Sequence, residues 1–129
     1  MSTIFTKIVE GEIPSYKVAE NDRFLAFLDI QPIVKGHVLV IPKTPVDYIF
    51  DIEDQLLGEF INFAKTVANK MDKVFDCKRI GMTVIGLEVP HAHIHLMPIN
   101  GIADMDFGKE KLKFSAEEMM AIANSIKEA

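Results

Sequence analysis

The chain has no tryptophan, one cysteine and no long apolar run. Cys77 on its own cannot close an intramolecular disulfide. Without a Cys-x-x-Cys pair there is also neither a thiolate zinc site nor a dithiol redox motif, which favours a reducing compartment. The longest apolar stretches, such as Val38 to Ile41, fall far short of the roughly 20 residues that a membrane helix needs. Lys7, Glu10 and Glu12 interrupt the opening where a secretory signal would place its apolar core. A soluble, cytoplasmic protein that engages no membrane is expected. No Lys/Arg-rich segment is present and the net charge is −5, so the electrostatic footprint of a nucleic-acid binder is missing. A small phosphorylated ligand stays compatible with that charge, because local donors decide the field of a pocket.

What is present describes one globular domain. Hydrophobic residues make up 49% of 129 residues and charged residues 26%, enough to bury a core without metal or disulfide support. Prolines and glycines are scattered, and no linker or repeat divides the chain.

Two short apolar runs, Tyr16 to Ala19 and Phe24 to Leu28, flank the turn-like Glu20-Asn21-Asp22 and predict a hairpin. His37 to Pro42, opened by Gly36, is a β-branched run that predicts a strand. Apolar residues then recur at three- and four-residue spacing from Leu56 to Phe75, the mark of one long amphipathic helix. Arg79 to Gly86 and His91 to Met97 read as two further strands, with an irregular joint over 86–90. Ser115 and Glu118 form a capping-box pattern ahead of a last helix. Strands, long helix, strands, helix imply an α+β fold: an antiparallel sheet carrying its main helix on one face.

Three of the four histidines fall within five residues, in Pro90-His91-Ala92-His93-Ile94-His95-Leu96-Met97-Pro98. On a strand, alternation puts His91, His93 and His95 on one face and Ala92, Ile94 and Leu96 on the other. A solvated histidine-rich face is the bland reading, but three imidazoles each need a hydrogen-bond partner. A metal site is the sharper rival. At about 3.4 Å per residue, His91 and His95 start roughly 13 Å apart, too far to share one ion about 2 Å from each nitrogen, so His37 or a carboxylate would have to join. Phosphoryl chemistry suits the linear array better. His93 has a neighbour about 6.8 Å away on either side, and a phosphate over the middle can meet all three. A neutral imidazole is a competent nucleophile near pH 7, and its phosphoramidate product is labile.

These residues resemble the His-x-His-x-His-x-x signature of the histidine-triad hydrolases and transferases. The likeness extends to 4–14, 24–30 and 36–43 and covers about residues 3 to 99 of a single domain spanning 1–129, with 100–129 a loop and C-terminal helix. It implies a five-stranded antiparallel sheet, a homodimer, and a nucleotide site with no cofactor or metal. By position, His93 resembles the nucleophile that forms a nucleotidyl-histidine. His95 is similar to the phosphate-binding member that protonates the leaving group, His91 to the one that orients the nucleophile, and His37 to a supporting histidine on the neighbouring strand. Phe5, Ile13, Phe27, Leu28 and Ile30 resemble the base and ribose pocket, with Asp29 accepting from ribose hydroxyls, and Glu88 and Val89 fall at further nucleotide-binding positions.

Two departures bear on the substrate. Leu87 stands where many branches carry a phosphate-binding glutamine, and Glu88 where serine or threonine is common. The resemblance implies a hydrolase or transferase acting at the α-phosphate of purine nucleoside phosphoramidates. Diadenosine polyphosphate hydrolysis is an alternative, as is a catalytically weak dimeric nucleotide-binding or scaffold protein.

Overall fold

The computed structural model describes residues 3–129. The expected hairpin forms from β1 (Lys17–Glu20) and β2 (Phe24–Leu28). Its turn is set by Asn21, whose side-chain oxygen accepts from the Arg23 and Phe24 amides at 2.9 and 2.8 Å. β3 (Val38–Pro42) follows, then the long helix α2 (Asp54–Val74), β4 (Arg79–Thr83), β5 (Ile94–Ile99) and α3 (Ala116–Glu128). The five strands order as β1-β2-β3-β5-β4, every pair antiparallel. This is the α+β architecture expected from the strand and helix order.

Period-two alternation divides the sheet into two faces. Phe24, Ala26 and Leu28 of β2, Val38 and Val40 of β3, and Ile94 and Leu96 of β5 pack beneath Phe60, Ala64, Val67 and Met71 of α2 and Met119, Ile122 and Ile126 of α3. Phe24 and Phe60 stack with ring centroids 5.5 Å apart. Leu25, Phe27, Leu39 and Ile41 point the other way and meet Phe5 and Ile8 of a short N-terminal helix, α1 (Ile4–Val9). Sequence reading assigns no element to these residues, because six residues are too few to show a helical period. The Thr3 hydroxyl caps α1 by accepting from the Thr6 amide at 3.1 Å.

The termini of two strands correct the expectation. β4 stops at Thr83 rather than Gly86, and β5 starts at Ile94 rather than His91. Pro90 has no N–H to contribute to a ladder. The His91 amide turns back to the Val89 carbonyl at 2.8 Å, and the Ala92 amide reaches the Val46 carbonyl at 2.7 Å, away from the sheet. His91 and His93 therefore sit on an irregular lead-in, and only His95 of the three belongs to the pleated strand.

Candidate active site

His95 lies opposite Leu39 in the β3–β5 register. His37 precedes Leu39 by two residues and shares its face. It is held by the Gly36 turn, where φ is +83° and a Cβ would come within 2.4 Å of the Phe75 ring. The Asp29 amide donates to the His37 carbonyl at 2.9 Å and so extends the β2–β3 ladder by one step. This brings Asp29 beside the histidines, with a carboxylate oxygen 3.7 Å from His37 Nε2. All four histidines are buried, at 0 to 7% exposure, on the face opposite α2. Among the described residues no fully buried side-chain nitrogen or oxygen lacks a partner, so the Nε2 atoms of His93 and His95, which make no hydrogen bond, are the ring nitrogens left accessible.

Those bonds assign the tautomers. The Ile33 amide donates to His37 Nδ1 at 3.3 Å, so the proton of neutral His37 is on Nε2 and donates to His95 Nδ1 at 2.9 Å. His95 must then carry its own proton on Nε2. On the other side, His91 Nε2 donates to the Pro42 carbonyl at 2.7 Å, leaving Nδ1 as an acceptor 3.4 Å from the Thr3 hydroxyl. His93 Nδ1 donates to the His91 carbonyl at 2.7 Å. Neutral His93 therefore keeps a free lone pair on Nε2. The His93 and His95 rings meet edge to face with centroids 4.9 Å apart. A nucleophilic nitrogen and an N–H donor thus stand side by side.

The surroundings disfavour the charged form of the supporting rings. Burial, then the positive charge of Lys111 and the neighbouring His93, pushes His37 down to about 4. Burial, then His93 and His37, pushes His95 down to about 3, against an opposing pull from Asp29. Burial likewise lowers His91, partly offset by its bond to the Pro42 carbonyl. Burial thus disfavours the charged form of each of these three rings.

One ligand atom from each of Asp29, His37 and His95 lies within 4.8 Å of the others, close enough to suggest a metal. The tautomers oppose it. Coordination through His37 Nε2 would move the ring proton to Nδ1, facing the Ile33 N–H, whereas a metal-bound histidine ordinarily donates its second N–H to an acceptor.

The residues matched to a nucleotide pocket separate into three groups. Phe5 is buried with its ring edge-on to Phe27, His91 and His93, at centroid distances of 5.7, 5.8 and 5.0 Å. Ile13 and Val89 are half-buried and pack beside it. Asp29 adjoins His37. Leu28 faces the other way, in the core under α2 and α3, so its side chain is on the wrong side of the sheet to touch a ligand at the histidines. Ile30 is 69% exposed, and Glu88 is exposed as well.

Sequence reading missed Thr3 and Phe107. The Phe107 ring covers His95 and His37 at centroid distances of 4.8 and 6.0 Å, from a loop pinned where the Leu112 amide donates to the Pro32 carbonyl at 2.8 Å. No local pattern marks Phe107, whereas Thr3 had a signal in its N-cap chemistry. A surface groove of about 690 Å³ beside Arg23, Glu59 and Phe63 contains none of these histidines. Functional groups, rather than volume, identify the site.

The chain is 37% identical over 108 residues to Protein hit of Bacillus subtilis, an alignment covering 78% of this chain and 73% of that one. It is 34% identical over 128 residues to adenosine 5'-monophosphoramidase hnt1 of Schizosaccharomyces pombe, covering 98% and 96%. A Hit-like protein from Bartonella henselae superposes with a TM-score of 0.85 at 28% identity, over 98% of this chain and 95% of that one. The HIT domain pattern matches residues 10–101, and with these relatives it shows that the chain belongs to the HIT family.

Proposed function

We propose that this protein is a nucleotidyl hydrolase or transferase that cleaves at the α-phosphate of purine nucleoside phosphoramidates. The observation that carries the reading is the pairing of a free lone pair on His93 Nε2 with the N–H of His95 Nε2 beside it. The S. pombe relative's activity supports the choice of substrate class.

His93 Nε2 attacks the α-phosphorus, the bond to the leaving amine breaks, and a nucleotidyl-His93 forms. Attack makes the His93 ring cationic, and its Nδ1–H bond to the His91 carbonyl strengthens as that charge develops. Neutral His95 can donate a hydrogen bond to a phosphate oxygen, but it must be protonated to give the amine a proton. The negative phosphate supplies the missing field and raises the His95 pKa on binding. The added proton goes to Nδ1, where it displaces the bond from His37 and meets the charge of Asp29, which already acts to raise this pKa. Nε2–H passes to the departing amine. In the second step water attacks phosphorus, its proton passes to the vacated His95 Nε2, and the P–N bond to His93 breaks.

Phe5, Phe27, Ile13 and Val89 offer the apolar wall on this face, and Asp29 the acceptor for ribose hydroxyls. The outward edge of β4, with Met82, Ile85 and Leu87 exposed nearby, supports assembly as a homodimer.

Acid quench of a labelled adenosine phosphoramidate, followed by mass spectrometry, should find adenylate on His93. In His93→Ala, turnover should fall by about 10³-fold or more while nucleotide binding persists. Adduct at another residue, or none during turnover, would reject the mechanism. Exposure of Leu87 and Glu88, where phosphate donors are common in the family, favours a second reading as a nucleotide-binding module. Tight binding with no turnover in the parent protein would select it. A higher kcat/KM for diadenosine polyphosphates than for phosphoramidates would instead reassign the substrate.

A further inference from the structure

We propose that Thr3 is a positioning residue that holds the nucleophile in its reactive tautomer by donating a hydrogen bond to His91. The His91 ring has one nitrogen open to a donor. His91 Nε2 is committed as donor to the Pro42 carbonyl at 2.7 Å, so Nδ1 can only accept, and the Thr3 hydroxyl lies 3.4 Å away. The same oxygen accepts from the Thr6 amide at 3.1 Å, and with the Thr3 proton given to His91 the Thr6 hydroxyl, 3.2 Å away, acts as the donor of that pair.

Thr3 is thus both the cap of α1 and the outer anchor of a directed chain running from the Thr6 hydroxyl through Thr3 to the His91 ring and on to Pro42. His91 in turn supplies the carbonyl that takes the Nδ1 proton of His93. A rotated or re-protonated His91 would shift that carbonyl and loosen the constraint that leaves His93 Nε2 bare. Thr3 is 8% exposed, so water cannot readily replace the lost donor. The docking of α1 also carries Phe5 onto the His91 and His93 rings, joining the N-terminal segment to the reactive centre.

Three variants separate this role from simple helix capping. Thr3→Ser keeps donor and acceptor, Thr3→Val removes both, and Thr3→Asp keeps a capping acceptor but has no proton to give. Nitrogen-15 spectra of the histidine rings should show His91 protonated on Nε2 in the parent and in Thr3→Ser. In Thr3→Asp that pattern should be lost as Nδ1 gains a proton facing the carboxylate, and in Thr3→Val the Nδ1 resonance should move to that of an unbonded imine nitrogen while Nε2 still donates to the Pro42 carbonyl. The kinetic arm rests on the function proposed above: kcat should fall about tenfold in Thr3→Val and Thr3→Asp, the scale of one neutral hydrogen bond, with KM within about threefold and Thr3→Ser restored to the parent rate. Should Thr3→Val not fold, the Ser and Asp pair decides alone. An unaltered His91 spectrum in Thr3→Asp, or kcat in Thr3→Asp equal to that of Thr3→Ser, would overturn the proposal. A parent protein without turnover would defeat the proposed function, yet the spectra would still decide the role of Thr3.

Discussion

At the scale of single residues, the chemistry turns on which nitrogen of each imidazole carries a proton. Four histidines of identical intrinsic character are differentiated by four different neighbours: the Ile33 amide, the Pro42 carbonyl, the His91 carbonyl and the ring of His37. Because His95 is pushed down to about 3 before a ligand arrives, binding a nucleoside monophosphate near pH 7 should draw a proton from solution. Calorimetric titration in buffers of different ionisation enthalpy should measure uptake approaching one proton per site. In His95→Gln the uptake should disappear. Equal apparent enthalpies in all buffers for the parent would contradict a substrate-generated acid.

At the scale of elements, capping side chains start the helices and aromatic packing of Phe24 on Phe60 and Phe63 seats α2 on the sheet. Ser115 accepts from the Glu118 amide at 3.1 Å while the Glu118 carboxylate accepts from the Ser115 amide at 2.8 Å, starting α3 where its core face begins. Ser115→Ala should cost about 1 kcal/mol in urea unfolding, since one helix-end donor loses its partner. Phe60 has 0% exposure and projects from α2 onto the sheet, so Phe60→Ala should cost more, about 3–5 kcal/mol, through the lost burial and the cavity left behind. A Phe60→Ala loss no larger than that of Ser115→Ala would mean that the α2 face of the sheet is not the main core. The Phe107 loop belongs to this scale too. It adds a hydrophobic cover to His95 and His37 and helps to keep them desolvated.

At the scale of the whole molecule, stability and site chemistry are linked through the same burial. Folding lowers His37 to about 4 and His95 to about 3 from an ordinary value of 6.5, so the unfolded chain binds more protons between those limits. Their contribution is full above about pH 6.5 and is lost as pH falls toward 3 to 4. The unfolding midpoint should therefore decline on acidification through that window, and less steeply in His95→Gln. A slope unchanged by the substitution would show that His95 is not the group responsible. Much of this molecule was legible in the chain alone. The hairpin, the long helix, the capped last helix and the histidine cluster follow from local spacing and side-chain chemistry, and such patterns are written in consecutive residues. Tertiary structure alone decided that the lead-in to β5 is not a strand, because Ala92 takes its partner from Val46 rather than from the sheet. It also decided that Leu28 faces away from the histidines and that Thr3 and Phe107 close on them from residues 88 and 12 positions distant in sequence from His91 and His95. The direction of each imidazole proton belongs to the same class. A tautomer is set by whichever donor or acceptor folding places against the ring, and no spacing along the chain records that choice.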